Sequence, residues 1–358
     1  MPPCEIDGYR ARAADESIEA MYTYAQASRL RSHAPGLLLC AAAVVIALSV
    51  QLLLPGVSPL IVAIVLGIVV TNTVTLPAST APGLAVASRR LLRLGIVFLG
   101  LQLVLDDILS LGAPMLAVVV CVVFGGIFGT LLMGRLLRMR PAQVLLIACG
   151  FSICGAAAVA AVEGATDAEE EDVVTAVALV VIFGTLLIPL IPLAGQLLDL
   201  GPELTGLWAG ASVHEVAQVV ATGGLIGGGA LSAAVLVKLA RVLLLAPVVT
   251  VLSVRQRVRQ RRSGPADSHA ARPPIVPLFI LGFLVMVAAR SFLDVSGTVL
   301  AFGNLAQTAL LSAAMFALGC GVRLANLRRV GVRPFILAAA STLLVAAIAL
   351  AGIGLVQS

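Results

Sequence analysis

Five side chains that apolar surroundings should not tolerate define the chemistry open to this 358-residue chain. His214 and Glu215 stand in the stretch LWAGASVHEVAQVVATG. Gln218 follows four residues after the histidine and three after the glutamate, so all three neighbour one another on a helix surface. Lys238 and Arg241 come next, in VLVKLARVLLLAPV, three apart and on one helix face. An imidazole, a carboxylate, an amide, an ammonium and a guanidinium at one depth could hold an anion, balance its charge and carry a coupled proton. A charge at the centre of a bilayer costs at least about 2.5–3.5 kcal/mol, so these groups should be partnered. The bland alternative is a structural pair, Glu215–Lys238 or Glu215–Arg241. Lys238 is the single lysine beside 22 arginines. A buried lysine can give up its proton where an arginine effectively cannot, which places Lys238 on a substrate path near Glu215 and Ser152.

A second feature lies upstream, in LLIACGFSICGAAAVAA. Gly150 and Gly155 bracket Phe151-Ser152-Ile153-Cys154, and each glycine lowers helix propensity by about 1 kcal/mol. A break here would leave a half-helix N-terminus whose N–H groups suit an anion, with Gly150, Ser152 and Gly155 around it. The alternative is close helix packing through small residues. Gln102, Gln307 and Thr308 reach a similar depth in other blocks, whereas Asp106 and Asp107 read as an exposed helix end.

Other chemistries fit poorly. His214-Glu215-Val216-Ala217-Gln218 begins like the zinc-protease HExxH, but glutamine replaces the second histidine. Nothing sets Ser152 against His214 as a proteolytic dyad. The six cysteines form no CxxC pair and lie mostly in apolar blocks, as packing residues. The sequence therefore implies no enzyme, cofactor or metal site.

The elements that must position these residues are membrane helices. Hydrophobic residues make up 60% of the chain and charged residues 11%, with mean hydropathy +1.10; soluble domains carry about 25% charge. The apolar blocks run near 35–54, 58–74, 92–110, 113–134, 142–162, 173–198, 203–222, 228–254, 274–293, 297–320 and 334–355. In lipid these must be helices, because backbone groups have to be satisfied internally. The reading is an all-α polytopic membrane protein of about eleven spans. Residues 1–34 form a cytosolic tail with a weak surface helix over Ile18–Leu30. Residues 35–355 form the transmembrane domain, with a basic cytosolic loop at 255–273.

Counting eleven crossings from an inside N-terminus puts 20 of 22 arginines on the inner side, with Arg290 outside and Arg241 within a span. The basic balance thus belongs to membrane topology and not to nucleic acid. The C-terminus and the acidic run Glu169-Glu170-Glu171-Asp172 then fall outside. One repeat is visible: 91–112 resembles 310–331, and the two copies would run in opposite directions, as in many carriers. A shorter match joins Gly150–Ala161 to Gly210–Ala221. Eleven alternating spans give those two helices the same direction, so that match does not read as an inverted repeat.

GFSICGAAAVAA, the following EEED and VIFGT, WAGASVHEVAQVVATG and VLVKLARVLLLAPV together resemble the YeiH-like sulfate exporter family over residues 35–355. The resemblance implies a bacterial inner-membrane carrier related to cation:proton antiporter and bile-acid-symporter-like folds. Those folds have two inverted five-helix repeats and discontinuous helices crossing at mid-membrane. It also implies sulfate or a related organosulfur anion as substrate, and carries over Ser152 within SICG, His214, Glu215 and Gln218 within HEVAQ, and Lys238 and Arg241 within KLAR. Repeats made of helices 2–6 and 7–11 would pair helix 5 with helix 10, whereas the visible match pairs 3 with 10. The expected activity is secondary active transport of a small anion by alternating access, with proton or sodium as coupling ion. A sodium-coupled organic-anion symporter, with Asn72, Ser152, Glu215 and Gln218 as oxygen ligands, and an anion channel are the rival readings.

Overall fold

The computed structural model describes residues 32–54, 57–262, 278–321 and 331–357. The expected helix over Ile18–Leu30 and most of the basic loop 255–273 lie outside the described residues. Among the described residues every regular element is helical. Six helices among the described residues are long and apolar enough to cross a membrane: Ser32–Leu53 (α1), Gly112–Leu136 (α5), Glu170–Leu197 (α8), Ala230–Arg259, Gly297–Gly321 (α14) and Arg333–Val356. The fourth comprises α11 (Ala230–Leu243) and α12 (Leu245–Arg262), and the last lies in α15 (Arg333–Gln357). Shorter helices fill the remaining blocks. They are α2 (Pro59–Thr73), α3 (Ala81–Val86, continuing through Leu92–Leu99 to Gly100–Gln102), α4 (Leu105–Leu109) and α13 (Leu278–Phe292). Asp106 and Asp107 open α4 and are exposed, as expected.

The two blocks that carry the motifs are each broken. The first is α6 (Pro141–Cys149), a wide turn Gly150–Cys154, and then α7 (Ala156–Glu163). Gly155 stands between them at φ +79, a left-handed backbone that glycine adopts without a Cβ penalty. The expected interruption between Gly150 and Gly155 is therefore present. The second is α9 (Pro202–Ser212) and α10 (Val216–Ile226), separated by Val213-His214-Glu215.

Neither broken block crosses the bundle, contrary to the eleven-crossing expectation. A continuous helix would separate Pro202 from Gly228 by about 39 Å. Instead, a Cβ built on Gly228 would lie 3.0 Å from Pro202 Cβ. Likewise a Cβ on Gly150 would lie 2.8 Å from Val159 Cγ2, across the bend at Gly155. Both blocks are re-entrant hairpins: α6–α7 enters and leaves on one face, α9–α10 on the other. The consequence for topology is direct. Arg140 sits 2.8 Å from Glu169 and 2.9 Å from Asp172, while Arg89 sits 3.2 Å from Glu163. The hydrogen bond to Glu169 and the charge of Asp172 push the Arg140 guanidinium further up. The acidic run thus shares the arginine-rich face instead of lying opposite it. Because each hairpin returns to its own face, the two together leave the N- and C-terminal helix ends on opposite faces, as eleven crossings would.

The hairpins also settle the repeat. α10 begins 60 positions after α7, and α11 begins 60 positions after α8. The match of Gly150–Ala161 with Gly210–Ala221 therefore pairs hairpin with hairpin, entering from opposite faces, and is an inverted repeat after all. α13 begins 219 positions after α2, and each has 15 residues; α15 begins 221 positions after α5, and each has 25 residues. The helix 3–helix 10 match belongs to this second set. The chain thus holds two inverted units in permuted order: three spans then hairpin and span, followed by hairpin and span then three spans. That permutation explains why helix 5 has no partner in helix 10.

Small residues let two sub-bundles form. Gly95 packs on Leu311, Gly100 on Phe283 and Gly282 on Val97, joining α3, α13 and α14. Opposite, Gly125 packs on Ile348, and Thr130 Oγ1 meets Ser341 Oγ at 2.7 Å, joining α5 to α15 behind the hairpins. Between lipid-facing helices such close approach gains van der Waals contact where a hydrophobic force is absent.

Candidate functional site

The hairpin tips meet in the middle of the bundle, and each tip is two helix ends. The C-terminal ends of α6 and α9 offer carbonyls that have no partner within their own helices. Lys238 and Arg241 reach across from α11 and take them. Lys238 Nζ donates to Ile153 O and Val213 O, both at 2.9 Å, and to His214 O. Arg241 donates from Nη2 to Phe151 O at 3.0 Å, from Nε to Ser152 O at 3.2 Å, and from Nη1 to Ala211 O at 2.7 Å and Val213 O at 3.1 Å. Both side chains are fully buried. Cations at helix C-termini match the negative end of the macrodipole.

The N-terminal ends of α7 and α10 are the mirror case. Glu215 Oε1 accepts the N–H of Ala156, the first residue of α7, at 2.9 Å. The same carboxylate caps its own helix by accepting the N–H of Gln218, whose Oε1 accepts the N–H of Glu215 at 3.1 Å. One carboxylate therefore sits on two positive helix ends, a favourable place for negative charge.

His214 is enclosed between the tips and α15. Its Nδ1 faces Phe151 O at 3.2 Å, an acceptor, so that nitrogen carries the hydrogen. Nε2 lies 3.0 Å from the Thr342 hydroxyl, which also reaches Ala338 O at 2.8 Å. The imidazole and Phe151 rings meet at a tilt of 48°, with centroids 4.4 Å apart.

Between the two sub-bundles lies a cavity of about 490 Å³ that runs from the tips to the arginine-poor face. Glu215, Cys154, Gln102, Gln307, Thr308 and Ser58 supply its polar wall, and Leu311 and Met315 its apolar one. Among the described residues Glu215 is the one charged side chain in this wall. Gln102 and Gln307 bridge α3 and α14 through Gln102 Nε2 and Gln307 Oε1.

Several site expectations change in this setting. No Glu215–Lys238 or Glu215–Arg241 ion pair forms among the described residues; each charge is met by backbone instead. Lys238 and Arg241 do not line the cavity, so neither presents a free hydrogen there. Ser152 turns its hydroxyl toward Gly126 of α5. Gly150 packs against Val159 and Val180. Gln218 Nε2 points to Val181 O at 3.4 Å. Asn72 bonds Ile68 O at 2.7 Å in the last turn of α2, so the four oxygen ligands considered for sodium are not gathered. Thr342 carried no signal in the sequence. Gln102 and Gln307 did, as polar residues at mid-span depth.

The family model described as Conserved hypothetical protein 698 matches residues 35–338. A UPF0324 membrane protein of Corynebacterium glutamicum is 66% identical over 331 residues, covering 92% of this chain and 95% of its own. UPF0324 membrane proteins of Pseudomonas aeruginosa and Bacteroides thetaiotaomicron are 39% and 36% identical, over 85% and 78% of this chain and 89% and 84% of theirs. No solved structure matches the chain.

Proposed function

The chain belongs to the YeiH-like family of UPF0324 membrane proteins described as Conserved hypothetical protein 698, and on that premise we propose that it is a secondary active transporter. Its substrate is a small anion, sulfate or a related organosulfur anion, moved across the bacterial inner membrane by alternating access. One observation carries this reading. Two re-entrant hairpins from opposite faces meet at mid-depth, and the cavity beside their junction opens, among the described residues, to the arginine-poor face. Irregular backbone at membrane depth is tolerated where it lines a cavity or is buried in protein, and broken helices mark the binding sites of carriers. A binding site open to one face, built from two inverted units, is what alternating access requires. A continuous pore would favour a channel, and Lys238, Arg241 and the tips fill the path toward the arginine-rich face.

The orientation follows the positive-inside rule, with the arginine-rich face cytoplasmic, the N-terminus inside and the C-terminus outside. Among the described residues this reading gives nine crossings and two hairpins where eleven crossings were expected. The cavity then opens outward.

The test is flux into proteoliposomes. Radiolabelled sulfate, taurine and chloride are offered with and without proton and sodium gradients. Saturable counterflow of at least one of the three supports a carrier. Absence of counterflow for all three, from protein that remains folded, refutes the reading.

A further inference from the structure

Three features of the tips bear on how an anion could bind. The two cations that would attract it have no access to the cavity: Lys238 has three carbonyl partners for its three hydrogens, and Arg241 lies on carbonyls of both hairpins. The first turns of α7 and α10, whose N–H groups have no partner within their own helices, border the cavity, since Ala157, Val216 and Ala217 are in its wall. Those turns converge on the Glu215 carboxylate. Finally, Gln307 is 93% buried and lines the same cavity; its Oε1 is engaged by Gln102, while no hydrogen bond from its Nε2 is found among the described residues. An amide N–H on a buried side chain that lines a polar cavity and has no protein partner is a donor awaiting an acceptor.

We infer that the Glu215 carboxylate occupies the anion's own seat, and that an external anion takes these donors only when Glu215 has accepted a proton. This deepens the transport reading and rests on it. A carboxylate and an inorganic oxyanion both seek the N–H groups at a helix N-terminus. With both charged, they would repel each other across a site from which Lys238 and Arg241 are shielded by carbonyls. Protonation removes that charge and weakens the carboxyl group as an acceptor, leaving the N–H donors of the two helix ends and Gln307 Nε2 to the incoming anion. The proton enters with the anion from the cavity side and leaves with it on the other. Proton and anion therefore move together, one proton per turnover. The other ionisable groups around Glu215 are Cys154 from the first hairpin, His214 beside it, and Lys238 and Arg241 from α11. From α2, α3 and α14 the cavity receives no ionisable side chain.

The experiment is equilibrium binding of radiolabelled sulfate to purified protein between pH 5 and 8, beside sulfate counterflow. For wild type, the apparent Kd should rise about tenfold per pH unit above the Glu215 transition, the slope for one linked proton. Glu215→Gln keeps an oxygen for Ala156 N–H but has no charge, so its Kd should not change with pH. Counterflow with a wild-type Kd independent of pH would overturn the inference and leave the transport reading standing. A Glu215→Gln protein that keeps the wild-type pH slope would also overturn it. Should that variant aggregate, the wild type decides alone: sulfate entry must acidify the vesicle lumen, and entry without proton movement overturns the inference. Absence of counterflow with all three anions defeats the transport reading itself, and the inference with it.

Discussion

Replacing Lys238 by Met tests whether this lysine holds the hairpin tips together. Methionine approximates the length of the stem but removes the ammonium. Three carbonyls, of Ile153, Val213 and His214, then lose their donor inside a fully buried site. Hydrogen bonds to charged groups contribute about 1.5–3 kcal/mol each, but they are not additive here because the three share one nitrogen. Removing one side of a buried charged arrangement costs about 3–5 kcal/mol, which we take as the magnitude. At about 2 °C per kcal/mol, the lower end for long chains, the melting midpoint should fall by about 6–10 °C. A thiol-reactive dye reads this directly in detergent, because Cys149 and Cys154 are buried beside the tip. The background carries Cys4→Ser and Cys121→Ser, since Cys121 is exposed. A midpoint within 2 °C of the parent would refute the assignment of Lys238 to the helix ends. Lys238→Arg does not separate a structural from a titrating lysine in this setting. A planar five-donor guanidinium does not fit a cradle of three carbonyls around one nitrogen, and overpacking alone costs about 1–3 kcal/mol.

Cysteines at Pro202 and Gly228 should form a disulfide under mild oxidation, giving a gel shift once the chain is cleaved between them; a continuous α9–α10 helix would hold them about 39 Å apart, and no cross-link would form. Single cysteines at Glu170 and Arg259 should be labelled by an impermeant maleimide from the same side of the membrane, and one at Ser110 from the other; opposite sides for 170 and 259 would refute the re-entrant hairpin. Gly155→Ala should destabilise by about 1–2 kcal/mol or more from the positive φ alone, and a Cβ there would also run into the Glu215 side chain; the same dye assay should show it, and an unshifted midpoint would refute the strained turn.

Much of this molecule was legible in the sequence, and the rest was hidden for identifiable reasons. Twenty-residue apolar blocks mean helices in lipid, because no other element satisfies its own backbone there, so the all-helical membrane class followed from composition and pattern. The glycines at 150 and 155 marked a real break, because a residue at φ +79 is readily supplied only by glycine. Residue types at His214, Glu215, Lys238 and Arg241 marked the centre, because charge is expensive at that depth. Direction was another matter. No arginine lies between Arg140 and Arg241, so loop charge cannot distinguish two hairpins from two crossings, and both leave the C-terminal helix end on the same face. Only tertiary contacts distinguish them: Pro202 with Gly228, Gly150 with Val159, and Arg140 and Arg89 with the acidic residues at 163–172. Partner choice was equally invisible. A sequence lists side-chain charges, so it pairs Lys238 with Glu215. The folded chain instead offers helix ends, whose carbonyls and N–H groups carry partial charges that no residue letter records. Lys238 and Arg241 went to the former and Glu215 to the latter, because tertiary structure brings four helix ends to one point.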